Sequence, residues 1–112
     1  MKKYYFLALV FFAVNTSASG YLSTGNNTSI SWINIEPAVI RIAFSDSEKL
    51  NPDNCDSLGA VLMTNETEYD KAIYSTLLAA MLSGKKVRLY GSGCLAGWGT
   101  TYPKLKAVYV YN

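Results

Sequence analysis

Residues 65–112 read NETEYDKAIYSTLLAAMLSGKKVRLYGSGCLAGWGTTYPKLKAVYVYN, and the order of elements in this stretch decides the fold. Tyr69, Ile73, Leu77 and Met81 recur in steps of four, and Ala72, Leu78 and Ala80 widen the stripe. That spacing predicts an amphipathic helix over residues 69–82. Thr67 with Asp70, or Asn65 with Glu68, supplies an N-cap and its reciprocal acid. Acidic residues in the first turn suit the positive end of the helix dipole. Ser83-Gly84 supplies the stop. Residues 86–90 then alternate as a strand, with Val87 and Leu89 inward. Residues 91–103 read as a long glycine-rich turn, and residues 105–111 as a closing strand.

Upstream, residues 20–27 are polar and read as a loose segment. Residues 28–35 (TSISWINI) alternate and favour β-branched residues and Trp, which predicts a strand. Glu36-Pro37 breaks it. Residues 38–45 (AVIRIAFS) form a second strand with Ile40, Ile42 and Phe44 on one face. Residues 46–57 are polar, with Asn51-Pro52-Asp53-Asn54 as a turn cluster. Residues 59–63 (GAVLM) read as a short buried strand. No repeat or linker interrupts this, so residues 20–112 are expected to form one domain. Five strands with one helix between the third and fourth predict a mostly-β OB-fold, a small five-stranded Greek-key barrel. A ferredoxin-like fold would need a second good helix.

Residues 1–19 read as a secretory signal. Lys2 and Lys3 precede an apolar run, residues 4–14, and small residues follow, with cleavage expected after Ala18 or Ser19. The run is too short to cross a hydrocarbon core, which needs about 20 residues. The expected location is secreted or periplasmic, without membrane insertion. The whole chain carries +2; removing Lys2 and Lys3 leaves it neutral. A neutral chain lacks the basic footprint of general nucleic-acid binding, so no nucleic-acid partner is expected. In an oxidising compartment, Cys55 and Cys94 read as a disulfide. The alternative, two free thiols or half a metal site, finds no histidine and no CxxC spacing.

Three apparent motifs carry no chemistry. Gly91-Ser-Gly93-Cys-Leu-Ala96 matches a dinucleotide fingerprint, but Trp98, Gly99 and Pro103 prevent the helix that must open there. Ser83-Gly-Lys-Lys86 matches SxxK at a helix end, in a domain too small for the serine acyltransferase folds. Asn27-Thr-Ser and Asn65-Glu-Thr are glycosylation acceptors only in a eukaryotic host. With no histidine and an expected disulfide, the familiar nucleophile and base arrangements are missing, and the carboxylates Glu66, Glu68 and Asp70 are better explained by the helix start than as an acid–base pair. The expectation is a non-enzymatic protein without cofactor or metal.

The helix Tyr69 to Leu82, the turn Ser83-Gly84-Lys85-Lys86-Val87-Arg88, Cys94, Trp98, Tyr102-Pro103 and the end Val108 to Asn112 together resemble the binding (B) subunits of bacterial AB5 toxins, both the cholera and heat-labile enterotoxin type and the subtilase cytotoxin and pertussis type. The resemblance covers about half of residues 20–112. The spacing departs from the cholera type: Trp98 lies four residues after Cys94 rather than two, and Cys55 precedes the third strand rather than lying near the N-terminus. The resemblance implies a pentameric homo-oligomer with helices lining a pore, a host cell-surface glycan as ligand, and a separate catalytic A chain.

Trp98 is the leading ligand candidate. An exposed indole offers a flat face on which the C–H face of a sugar can stack, and Ser92, Thr100, Thr101, Tyr102 and Lys104 are near enough in sequence to take hydroxyls. The bland alternative has Trp98 plugging the barrel end. Trp32 reads as core or half-exposed sheet. A second functional reading is a monomeric periplasmic or secreted interaction domain, an inhibitor or immunity protein, with the acidic loop 46–56 as its contact surface.

Overall fold

The computed structural model describes residues 19–25, 27–45 and 49–112. The expected export segment, residues 1–18, and the head of the acidic loop, residues 46–48, lie outside the described residues. Strand β1 is Gly20–Tyr21, β2 Ser29–Ile35, β3 Val39–Ser45 and β4 Val61–Thr64. Helix α1 follows over Glu68–Ser83, then β5 over Lys86–Gly97 and β6 over Thr100–Tyr111. Among the described residues no helix is long and apolar enough to cross a membrane.

The strands form one mixed six-stranded sheet in the order β1-β5-β6-β4-β3-β2. All neighbours are antiparallel except β4 and β6, which run parallel through Leu62 and Lys104. An antiparallel bridge between Thr28 and Val87 brings the beginning of β2 to β5, so the sheet curls toward a small barrel-like form. The Val87 N–H donates to the Thr28 carbonyl at 2.8 Å there.

The helix forms where the periodicity places it. Of the two possible caps, Thr67 with Asp70 is used: the Thr67 hydroxyl accepts from the Asp70 N–H at 3.0 Å, and Asp70 accepts in return from the Thr67 N–H at 3.2 Å. Gly84 ends it in the left-handed conformation, φ 70°. Ile73, Leu77 and Ala80 are buried against the sheet, in a core with Ile30, Ile40, Ile42, Phe44, Val61, Met63, Val87, Leu89 and Leu105. Each such large side chain stabilises the fold by about 1.5–3 kcal/mol relative to exposure.

Three expectations need correction. The sheet has six strands, not five. The added strand, β1, comes from residues 20–27, expected to be loose. Tyr21-Leu22 is the apolar signal there: Leu22 is buried in the core, and its N–H donates to the Leu89 carbonyl at 2.8 Å. Gly91 makes room for it, because a Cβ at that position would stand 2.7 Å from both Leu22 methyl carbons. Finally, residues 91–103 are not a long turn. Most of them are hairpin, paired from Cys94–Pro103 through Gly97–Thr100, with register shifts flanking Gly91. Of the glycines that read as turn residues, Gly91, Gly93 and Gly97 lie in a bulged, twisted ladder instead.

Candidate ligand surface at the hairpin tip

Beyond the core, β5 and β6 continue as a hairpin closed by Trp98 and Gly99. Both have positive φ, 50° and 78°, as a type I′ turn requires. Glycine suits that conformation. Tryptophan does not, and a bulky L-residue there costs about 1 kcal/mol or more. The fold therefore holds Trp98 against a local preference, and the surrounding contacts explain how.

The hairpin lies on the outer face of β3 and β4, away from the main core. A second small cluster forms there from Ala60, Leu62 and Tyr102, with Val39 and Leu95 packed against it. The loop before β4 fastens the hairpin. Cys55 and Cys94 are joined as expected, with Cα atoms 5.7 Å apart. The Gly93 N–H donates to the Asp53 carboxylate at 2.7 Å. The Thr101 hydroxyl accepts from the Asp56 N–H at 2.9 Å and donates to the Asp56 carboxylate at 3.2 Å.

At the tip, the Trp98 ring stands 4.0 Å from the Arg41 guanidinium carbon and edge-on to Tyr102, with centroids 6.4 Å apart. Trp32, on β2, also approaches the same guanidinium, at 5.3 Å. Arg41 lies on β3 opposite Asn34 and Leu62, where alternation turns it away from the core residues Ile40 and Ile42. Trp32 and Trp98 remain close to half exposed, at 43% and 47%. The result is a shallow surface of two indoles bound to one cation, with accessible ring area for an apolar face and a guanidinium edge for oxygen atoms.

Of the sequence candidates, the structure gathers few. Trp98 and Thr100 sit together at the tip. Tyr102 is buried beneath Trp98 and supports it. Thr101 is engaged by Asp56. Ser92 accepts a hydrogen bond from the Ser19 hydroxyl at 2.8 Å, about 20 Å from the tip by strand rise. Lys104 lines a different depression of about 350 Å³, with Glu66, Tyr69 and Asp70 at the start of the helix. There Asp70 is also held by the Thr64 hydroxyl and the Glu66 N–H. Burial raises its pKa, but these hydrogen bonds outweigh that and leave it lowered. Sequence reasoning missed Arg41. Its signal was a single cation in the otherwise apolar run AVIRIAF, in line to meet an aromatic neighbour across the ladder.

A second aromatic surface lies on the outer face of β1, β5 and β6. Tyr21 and Tyr90 are cross-strand neighbours, edge-on at 5.5 Å, and Tyr109 lies 6.2 Å from Tyr21. The Arg88 guanidinium carbon is 3.6 Å from the centre of the Tyr21 ring. The pKa of Tyr109 is raised, first by the charge of a neighbouring Tyr21 phenolate and then by hydrogen bonding with Tyr21. Arg41 and Arg88 share one trait: each has a buried Nε without a hydrogen-bond partner among the described residues. No protein-family model matches this chain, and no curated protein matches it in sequence.

Proposed function

We propose that the domain is a secreted, non-catalytic, glycan-binding subunit with an OB-fold, and that Trp98 is the centre of its binding surface. The observation that carries the reading is the strained, half-exposed Trp98 on a disulfide-fastened hairpin, beside Arg41. Backbone strain in a bulky residue persists where the surroundings over-determine it, which is characteristic of ligand sites. The OB-fold reading draws support from the strand run β2-β3-β4-β6-β5, the parallel β4–β6 pair, the Thr28–Val87 bridge and the helix between β4 and β5. In that reading β1 is an addition to the barrel.

Assembly of several copies, with a separate catalytic chain, belongs to the same proposal. Two strand edges support it. Among the described residues, β6 has no strand partner on the side away from β5 beyond its bridge at Lys104, and β2 has none on the side away from β3 beyond the Thr28–Val87 bridge at its start. Open edges of that length invite pairing with another copy. Leu82 on the helix, 76% exposed, would gain cover in a ring. The acidic loop is a weaker contact surface for a protein partner, because Asp53 and Asp56 are engaged within the chain.

The test is a glycan array probed with the mature protein and with Trp98→Ala. Binding by the wild type and its loss in a variant with an unchanged circular dichroism spectrum is expected. Equal binding by the two proteins overturns the assignment of Trp98. Light scattering addresses assembly: a monomer at micromolar concentration overturns the ring.

A further inference from the structure

We propose that the tyrosine face around Arg88 is a second binding site, separate from the Trp98 surface, for an oxyanion: the carboxylate, sulfate or phosphate group of an acidic ligand. Val87 and Leu89 point into the core, so Arg88 and Tyr90 point outward, and Tyr109 stands opposite Arg88 on β6. Tyr21 stands opposite Tyr90 on β1. Among the described residues no acidic side chain is paired with Arg88. The only ion pair among the described residues is Lys71–Glu68, on the helix.

Arg88 thus presents a planar fork held 3.6 Å over the Tyr21 ring, with no ion-pair partner among the described residues. Its Nε is covered and finds no acceptor, so stacking rather than hydrogen bonding sets the plane of the fork. The Nη edge is left to meet a ligand. An arginine fixed in this way is suited to a bidentate oxyanion contact, which the point charge of lysine does not reproduce. The hydroxyls of Tyr21 and Tyr109, which share a hydrogen bond, leave one O–H to donate to the anion. Tyr109, 46% exposed, offers ring area to the body of the ligand. At Arg41, by contrast, the flanking rings are the indoles of Trp32 and Trp98.

The experiment is a titration of the ¹⁵N-labelled mature protein with sodium sulfate, sodium acetate and sodium chloride at matched ionic strength, following the arginine Nε–Hε resonances. Sulfate and acetate are expected to shift the Arg88 resonance saturably, and chloride to leave it nearly still. In Arg88→Lys, read at the backbone amides of Tyr90 and Tyr109, sulfate affinity should fall about tenfold or more. Trp98→Ala should keep the sulfate response intact. Equal shifts with all three salts, an undiminished response in a folded Arg88→Lys protein, or loss of the response in Trp98→Ala would each overturn the site.

Discussion

The two aromatic surfaces pair an arginine with rings in similar fashion but rest on different supports. The Trp32–Arg41–Trp98 surface is completed by a hairpin outside the main core, held by a disulfide, two aspartates and a five-residue apolar cluster. The Tyr21–Arg88–Tyr90–Tyr109 face lies on a continuous three-strand ladder whose reverse side is the core itself. The contrast shows how one small domain can carry a surface that depends on covalent and polar ties beside one that depends only on strand pairing. It also says which of the two should fail first.

The largest expected effect comes from removing the cross-link. Cys55→Ala with Cys94→Ala releases a 39-residue separation and should cost about 4 kcal/mol in urea unfolding. The tryptophan emission should shift toward that of exposed indole, while the amides of Tyr90 and Tyr109 keep their native positions. Equal disturbance of both surfaces would break the contrast.

Next in size is Gly91→Ala. Its new methyl would collide with the fully buried Leu22, a strain of about 1–3 kcal/mol. The effect should run the other way across the molecule. Hydrogen exchange at the Leu22 amide should accelerate as β1 loosens, with the emission of Trp98 unchanged.

Arg41→Ala sharpens the comparison more gently. It removes a cation held against two indoles, worth about 1–2 kcal/mol. Arg88→Ala, which loses one ring contact, should cost less. A denaturation series that ranks them in the reverse order would show that the tyrosine face is the more tightly built.

The smallest effect serves as a control outside both surfaces. Asp70→Asn weakens the helix cap by about 1 kcal/mol. Because the folded pKa of Asp70 is lowered, its contribution is complete above the unfolded pKa and disappears as pH falls through the lowered folded value. The wild-type advantage over Asp70→Asn, measured by thermal melts, should therefore vanish in acid.

The helix, its caps and the alternating strands were legible because each follows from local periodicity and capping chemistry. The pairing of Cys55 with Cys94 was legible from an even count of two cysteines and an expected export signal. The hairpin was not legible. Gly91, Gly93, Gly97 and Gly99 read as one turn, yet only Gly99 sits in it; Gly91 yields space to Leu22, and Gly97 lies close over Leu62. Such close approaches depend on residues distant in sequence. Trp98 was visible as a candidate, but its cation was not, since Arg41 meets Trp32 and Trp98 only after β2 and β3 pair and the hairpin folds back. The clustering of Ser92 and Lys104 with Trp98 failed for the complementary reason: neighbours in sequence on an extended strand move apart by more than 3 Å per residue.

The Ser19–Ser92 hydrogen bond ties the chain just before β1 to the base of the hairpin, remote from the tip. A dye or linker attached beside Ser19 would sit about 20 Å along the hairpin from Trp98. A label at that point would report on the base of the hairpin while leaving its tip unmodified.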